Sequence, residues 1–444
     1  MKKVNFLTLG CKVNQYETEA MTELFSNRGY EVVPQGEYSD IFVINTCTVT
    51  NQSDRKSRQA IGKVKKLNKD AIIAMVGCYV QIKPEEVSEI EGVDVVLGTN
   101  NKLQIVDACE KAINEQRVIN VVDEIKYDKD FEELEIYNQS EMTRAYIKIQ
   151  EGCNQFCSYC IIPYARGPVR SRNIQSIKNE AERLASRGYK EIILTGIHVA
   201  SYGIDLEEDI SLIDVIEDIS KVEGIKRIRL SSVEPRLITE DFLSRAKETG
   251  KFCDHFHLSL QNGSDRILKL MNRKYTTEEY ADKVKLIREF YPNAGITTDI
   301  IVGFPEETDE DFDLTCKFVK KIGFSKVHIF KYSPREGTKA AKMKNHIPGD
   351  VKKIRSTKLS EVCQEVSNEY LNSLMGKTFE VLFESKSDFD GYISGYATNY
   401  TRVNIPEDDK IINEILDIKY KNVQNGEVFG IINNRRWNNG LYFL

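Results

Sequence analysis

The chain has 444 residues, 41% hydrophobic and 29% charged, a balance that excludes a fibrous or largely disordered protein and, at about 150 residues per domain, points to roughly three cores. Its net charge of −6 gives no general attraction for nucleic acid, so any RNA contact must come from local patches. The start, MKKVNFLTLGCKVNQYE, turns polar after Leu9 and nothing later approaches 18 consecutive apolar residues, which excludes a signal peptide or membrane span and leads us to expect a cytoplasmic protein.

Residues 1–115 alternate short apolar runs with helix-like stretches: KVNFLTLGC, YETEAMTELFSNRG, DIFVINTC, SRQAIGKVKKLN, AIIAMVGC, VDVVLG and KLQIVDACEKA. That alternation predicts a parallel α/β domain. Cys11, Cys47 and Cys78 each close an apolar run, where an open α/β sheet gathers ligands beyond the carboxyl ends of its strands. An acidic linker without a helical stripe, DEIKYDKDFEELE, falls within 116–140. Over 141–371 the alternation resumes with RAYIKIQEGC, KEIILTGIHV, IKRIRLSSVEP, HFHLSLQNG, GITTDIIVGFP and KVHIFKYSP. Six such repeats predict an open, partial (β/α)6 barrel with its site at the carboxyl ends of the strands. Residues 372–444 change to short alternating runs broken by Gly, Asn and Asp, which predicts a small β-barrel.

Ten cysteines at irregular spacing argue for metal or redox chemistry rather than a disulfide framework. Cys153, Cys157 and Cys160 form a C-x3-C-x2-C run just after a predicted strand, and three thiolates on one tight loop suit a [4Fe–4S] cluster with one iron left open. Zinc is the alternative, but it takes four ligands, commonly in paired C-x2-C units, and no fourth Cys or His follows nearby. Cys11, Cys47 and Cys78 are either a second three-thiolate site or three buried core cysteines; their shared strand-end position favours the site. Cys109, Cys253, Cys316 and Cys363 lie in apolar stretches as core residues, and His255 and His257 alternate on one strand as polar or core residues. Three basic stretches stand out: Arg55 to Lys66, Arg166 to Arg172, and Lys331 to Lys358 with nine Lys/Arg against Glu336 and Asp350. Such runs are commonly solvated faces, but Arg166, Arg170 and Arg172 adjoin the cysteine loop and suit phosphate contact.

LGCKVNQYET at Leu9–Thr18, NTCTVT at Asn45–Thr50, GCYVQ at Gly77–Gln81 and GCNQFCSYCIIPYARGPVRSR at Gly152–Arg172 together resemble the radical S-adenosylmethionine (SAM) methylthiotransferases. Within that family they are closest to the type acting on N6-threonylcarbamoyladenosine in tRNA. SSVEP at Ser231–Pro235, LSLQNGSDRILKLMNRKY at Leu258–Tyr275 and TTDIIVGFPEET at Thr297–Thr308 extend the resemblance over essentially the whole chain. Two departures stand out: Glu306 replaces a usual Gly, and residues 372–444 hold eight Lys/Arg against ten Asp/Glu.

The resemblance implies an amino-terminal methylthiotransferase domain with an auxiliary [4Fe–4S] cluster on Cys11, Cys47 and Cys78. It further implies a radical SAM core with a second [4Fe–4S] cluster on Cys153, Cys157 and Cys160, and a carboxyl-terminal TRAM-like β-barrel. In that chemistry SAM is split to a radical that takes hydrogen from C2 of the modified adenine, and the auxiliary cluster delivers a methylthio group. The implied SAM contacts are Tyr159, Gly196, Ser232, Glu234, Gln261 and Asp299. The implied partners are a tRNA anticodon stem-loop, held at its phosphates by Arg166, Arg170 and Arg172, and an electron donor such as flavodoxin or ferredoxin. Related alternatives are methylthiolation of isopentenyl-adenosine in tRNA or of a ribosomal-protein aspartate, and a non-catalytic RNA-binding iron–sulfur module.

Overall fold

IFVINT and IIAMVG are largely apolar runs buried along nearly their whole length, the pattern of central strands covered on both faces, beside the more polar KVNFLT. A computed structural model of the chain describes residues 1–125, 130–134, 136 and 143–433. The rest of the expected acidic linker, and residues 434–444 of the expected carboxyl-terminal barrel, lie outside the described residues.

The first body runs β1 (Lys3–Thr8), α1 (Lys12–Asn27), β2 (Glu31–Val32), β3 (Ile41–Thr46), α2 (Asn51–Leu67), β4 (Ile72–Gly77), α3 (Cys78–Ile82), α4 (Pro84–Ser88), β5 (Val95–Leu97), α5 (Ile105–Glu115) and β6 (Ile119–Val121). Its strands form one sheet in the order β2-β1-β3-β4-β5-β6, parallel throughout. Alternate side chains feed two cores. Ile41, Val43, Ala74 and Val76 pack with Met21 and Phe25 of α1, whereas Phe42, Ile44, Ile73 and Met75 pack with Ala60, Ile61 and Val64 of α2. Because β1, β3 and β4 are neighbours, the loops leaving their carboxyl ends are neighbours too, and these loops carry Cys11, Cys47 and Cys78.

The second body begins β7 (Arg144–Glu151), α6 (Ile162–Arg166), β8 (Arg170–Ser171), α7 (Ile174–Ser186), β9 (Glu191–Gly196), α8 (Leu212–Ser220) and β10 (Arg227–Leu230). It continues β11 (Ser232–Val233), α9 (Glu240–Glu248), β12 (His255–Leu258), α10 (Asp265–Leu270), α11 (Thr277–Phe290), β13 (Gly295–Val302), α12 (Asp309–Ile322), β14 (Lys326–Lys331) and α13 (Gly349–Ser373). Two four-stranded sheets, β10-β9-β7-β8 and β11-β12-β13-β14, meet where Ile228 of β10 bridges in parallel to Phe252 just before β12. The result is an open barrel wall of six long parallel strands with helices outside, in which only the short β8 runs antiparallel.

Finally β15 (Thr378–Lys386), β16 (Tyr392–Ala397), β17 (Arg402–Pro406), β18 (Ile415–Gln424) and β19 (Glu427–Ile432) close a five-stranded barrel in the order β15-β16-β17-β19-β18. The fold is therefore α/β with a small β-barrel at its carboxyl end. That barrel docks against the amino ends of the parallel strands: Arg227 donates to the Tyr396 carbonyl (3.0 Å), Arg229 to those of Ala397 and Thr398 (3.1 and 2.8 Å), and Tyr400 stacks on His255 with centroids 4.5 Å apart. It closes the end of the partial barrel away from the cysteines. Among the described residues no helix is long and apolar enough to cross a membrane.

Candidate active site between two cysteine triads

The first triad is built by strand ends. At Gly10 φ is +114°, and a Cβ there would lie 2.8 Å from Cys47 Cβ, so a residue without a side chain is what lets the Cys11 loop lie against Cys47. Cys78 opens α3 directly from β4 and is buried, like Cys47, whereas Cys11 is exposed. The second triad follows β7. At Gly152 φ is +71° and a Cβ would collide with the Pro168 carbonyl, so the turn that throws Cys153 off the strand requires glycine.

The Cys153 loop is fixed from three sides. Cys153 N–H donates to the Gly167 carbonyl (3.0 Å), Ser158 donates from both its N–H and its hydroxyl to the Met271 and Leu270 carbonyls (3.0 and 2.8 Å), and Ala340 N–H donates to Ser158 O (2.7 Å). Gln150, buried at the end of β7, donates to the Glu151 and Gly152 carbonyls and accepts from His198 N–H at 2.7 Å, so it ties this loop to the loop after β9.

One arginine joins the first triad to the end of the strand that leads into the second. Arg166 ends α6, six residues beyond Cys160, and is fully buried. Its Nε donates to Cys78 Sγ at 3.1 Å, and its terminal nitrogens donate to Asn14 Oδ1 (2.7 Å), Glu17 (2.5 and 3.1 Å) and Glu151 (3.1 and 3.2 Å). Lys148 joins the same node, 3.1 Å from Glu17 and ion-paired to Glu151, and Lys102 lies 3.4 Å from Glu17. Burial alone would raise both carboxyls, but the cations outweigh it: Glu17 is held far below the usual carboxylate range, chiefly by Arg166, Lys102 and Lys148, and Glu151 down to about 2 by Arg166 and Lys148.

A second arginine serves the other triad. Arg273 donates to Cys157 Sγ at 3.3 Å, to the Ser259 carbonyl at 3.2 Å and to Tyr275 Oη at 2.9 Å. Burial pushes the Cys153 thiol up to about 11 and the Cys78 and Cys160 thiols up to about 12, and Arg166 opposes this at Cys78 as Arg273 does at Cys153 and Cys160.

The donor set fits iron–sulfur clusters. All six cysteines are free thiols, the three of each triad lie near enough to raise one another's thiol, and each triad has a guanidinium N–H on one sulfur. Among the described residues no three Cys, His, Asp or Glu converge closely enough for a single ion. A four-iron cluster takes one thiolate per iron and needs its sulfurs further apart than one ion does.

The other expected site residues are placed unevenly. Glu234 is buried beside the second triad, 2.9 Å from Arg236 and 3.5 Å from His198; burial would raise it, but His198, Arg236 and Arg273 hold it at about 2. Gly196 ends β9 against Gln150, where a Cβ would lie 2.9 Å from the Gln150 carbonyl. Gln261, at φ +75°, is bound through its backbone to Asp299 O and Ile301 N–H. Asp299 sits within β13 rather than at its end, 3.3 Å from His257 Nε2. His255 and His257 both reach the Thr297 hydroxyl, at 2.9 and 3.0 Å. Tyr159 packs against Met271, Phe304 and Tyr332, and Ser232 is exposed.

The expected phosphate contacts are not where such contacts would be. Arg166, Arg170 and Arg172 are 0%, 1% and 1% exposed. Arg172 pairs with Glu133 (3.0 Å) and Glu180, and Arg170 donates to the Arg166 carbonyl at 2.9 Å. Arg166 ties the two α/β bodies together through Glu17, and Arg172 and Arg170 reach the first body through the Tyr16 hydroxyl (3.4 Å) and Asn100 Oδ1 (3.5 Å). The sequence reading missed Asn14, Glu17, Lys102, Lys148, Glu151 and Arg273. Asn14 and Glu17 carried a signal, three and six residues after Cys11 on one face of a helix.

The profile of the Radical SAM superfamily matches residues 147–319, and that of Uncharacterized protein family UPF0004 matches 3–98. The chain is 40% identical to the threonylcarbamoyladenosine tRNA methylthiotransferase MtaB of Bacillus subtilis (strain 168), over 94% of each chain. It is 41% identical to the protein of the same name from Aquifex aeolicus (strain VF5), over 90% of this chain and 98% of that one. The tRNA-2-methylthio-N(6)-dimethylallyladenosine synthase of Alkaliphilus oremlandii is 38% identical over 96% of this chain and 93% of its own. Among solved structures, the radical S-adenosylmethionine methyltransferase TsrM of Kitasatospora setae shares the fold, with TM-score 0.54 and 16% identity over 75% of this chain and 76% of that one.

Proposed function

Because this chain belongs to the radical SAM methylthiotransferases, we propose that it transfers a methylthio group to C2 of N6-threonylcarbamoyladenosine beside the anticodon in tRNA, giving 2-methylthio-N6-threonylcarbamoyladenosine. The observation that carries this is the pair of cysteine triads, one from each α/β body, with Arg166 bonded both to Cys78 of the first and to Glu151, two residues before Cys153 of the second. An enzyme that only split SAM would need the second triad alone.

When bound, two [4Fe–4S] clusters and SAM supply the radical C–H activation and the methylated sulfur that the reaction consumes. Cys153, Cys157 and Cys160 hold one cluster, and Cys11, Cys47 and Cys78 hold the other. Arg273 and Arg166 each place an N–H on one cysteine sulfur, which orients the ligand and tunes its electron density. Glu234, held ionised, would shape the space for SAM with Tyr159, Gly196, Ser232 and Gln261 at the carboxyl ends of the barrel strands, and Asp299 would contribute from within β13. The target adenine must leave its stack to reach this space. Phe156 and Tyr164, each 47% exposed, lie on and just after the cysteine loop as an edge-to-face pair 5.8 Å apart, a surface on which a splayed base can stack. Electrons come from a flavodoxin- or ferredoxin-type donor.

Mass spectrometry of tRNA nucleosides from a deletion strain tests the assignment. The product above should vanish and return on complementation; loss of the methylthio-dimethylallyl nucleoside instead would move the chain to the other group of relatives. Iron analysis after anaerobic reconstitution should give about eight irons per chain, falling to about four when Cys153, Cys157 and Cys160 are all replaced by Ala.

A further inference from the structure

Between Asn51 and Lys69 the chain carries seven Lys/Arg against Asp54 alone. Asp54 is buried and bound by Arg335 at 2.6 Å, so the outer surface of α2 has no acid of its own. Arg55, Lys56, Lys63 and Lys66 fall on one face at helical spacing, with Gln52 and Gln59 between them, opposite the buried Ser57, Ala60, Ile61 and Val64. All four are exposed, and none has a carboxylate partner among the described residues. Arg58 and Lys65, which flank this face, are by contrast engaged: Arg58 with Glu86 at 3.5 Å and Lys65 with the Lys69 and Ala71 carbonyls.

The stripe starts at the active site. The N-cap of α2 is Thr50, three residues beyond Cys47, and 17 helical residues extend about 25 Å outward. A second basic segment is fastened to the same end. Asn51 N–H donates to the Ser333 hydroxyl (3.1 Å), and Arg335 donates to Asn51 Oδ1 (2.6 Å) and the Thr48 hydroxyl (2.5 Å). This pins the loop after β14, with Lys339, Lys342 and Lys344 exposed, beside the head of α2.

We propose that this surface, the outer face of α2 continued by the loop 331–344, is where the sugar-phosphate backbone of the tRNA stem docks, so that the anticodon loop is delivered to the mouth between the triads. The inference rests on the tRNA substrate proposed above and adds the surface that holds it. Two observations favour RNA over a protein partner. The cations run the length of the helix with no acid among them, as a polyanion requires. Apart from Leu67 at its end, α2 exposes no large apolar side chain, whereas a protein interface needs an apolar centre.

The test compares the full chain with a variant carrying Arg55→Ala, Lys56→Ala, Lys63→Ala and Lys66→Ala; Ala is the best helix former, so α2 is retained. A control of equal charge loss carries Lys226→Ala, Lys285→Ala, Lys317→Ala and Lys321→Ala, all exposed on the other α/β body. Binding of tRNA bearing N6-threonylcarbamoyladenosine is followed by fluorescence anisotropy from about 50 to about 250 mM salt. At about 150 mM the Kd of the α2 variant should rise about tenfold or more, and its slope of log K against log salt should become shallower by about 2–4. The control should keep the parent slope, and both variants should keep their iron content. An unchanged slope, or equal losses in variant and control, overturns the proposal while leaving the tRNA substrate intact. Unchanged tRNA binding with slowed reduction by flavodoxin overturns it in favour of an electron-donor dock. Failure of the parent chain to bind tRNA removes both the substrate and this surface.

Discussion

Arg166 satisfies two buried carboxylates and one cysteine sulfur at once, so its loss is not the loss of a surface charge. Replacing it with Leu leaves Glu17 and Glu151 with Lys102 and Lys148 as their remaining ion-pair partners, and we expect a destabilisation of about 3–5 kcal/mol. Adding Glu17→Gln to the same chain should recover part of that, because the orphaned charge is what costs; denaturant unfolding followed by circular dichroism reads both. Glu306 offers the opposite test. Its φ is +68°, with its N–H donating to Asn345 O and its carbonyl accepting from Arg266. The left-handed conformation costs a non-glycine residue about 1–2 kcal/mol, and glycine gives back about half through the freedom it adds to the unfolded chain. Glu306→Gly should therefore stabilise the protein by about 0.5–1 kcal/mol, measured in the same unfolding assay.

Helices and strands explain which parts of this site could be foreseen. A parallel sheet built by successive βαβ units places β1, β3 and β4 side by side, so three cysteines some 30 residues apart were readable as one crevice from the alternation alone. The short alternating runs after Gly376 were likewise readable as a barrel, because their period is set by the pleat. What stayed hidden depended on contacts between elements. Arg166 lies 149 residues from Glu17 and 88 from Cys78, and no local pattern announces that its side chain reaches both α1 and the head of α3. An Arg-rich run after a catalytic loop looks alike whether it faces phosphate or carboxylate; only the arrival of Glu17, Glu151 and Glu180 decides it. The same holds for α2, whose basic face was visible in the sequence but whose nearness to the loop 331–344 required Arg335 to be seen at Asp54 and Asn51.

At the scale of the molecule, the bodies meet through small apolar contacts, such as Tyr16 and Ala20 of α1 with Tyr146 of β7 and Ile193 of β9, and through buried ion pairs, and the ion pairs make their association sensitive to acid. Within the second body Glu191 lies 2.7 Å from Arg227 and 2.8 Å from Arg229 and so fixes the two arginines that donate to the barrel's Tyr396, Ala397 and Thr398 carbonyls, beside the Arg144–Glu384 ion pair that crosses to the barrel directly. Burial would raise the Glu191 carboxyl, but Arg227 and Arg229 outweigh it and bring it down to about 2. A carboxylate depressed in the folded state stabilises fully above its unfolded value near 4.3, and that contribution is lost as pH falls from there toward 2. Stability measured by denaturant unfolding should therefore decline between about pH 4.5 and about pH 2. In Glu191→Gln the protein should be weaker at neutral pH, since two buried guanidinium groups lose their counter-charge, and its decline across the same acid range should be shallower. If the variant showed the parent's full acid dependence, the sensitivity would belong to the Arg166 node, where Glu151 is depressed in the same way, and not to the docking of the barrel.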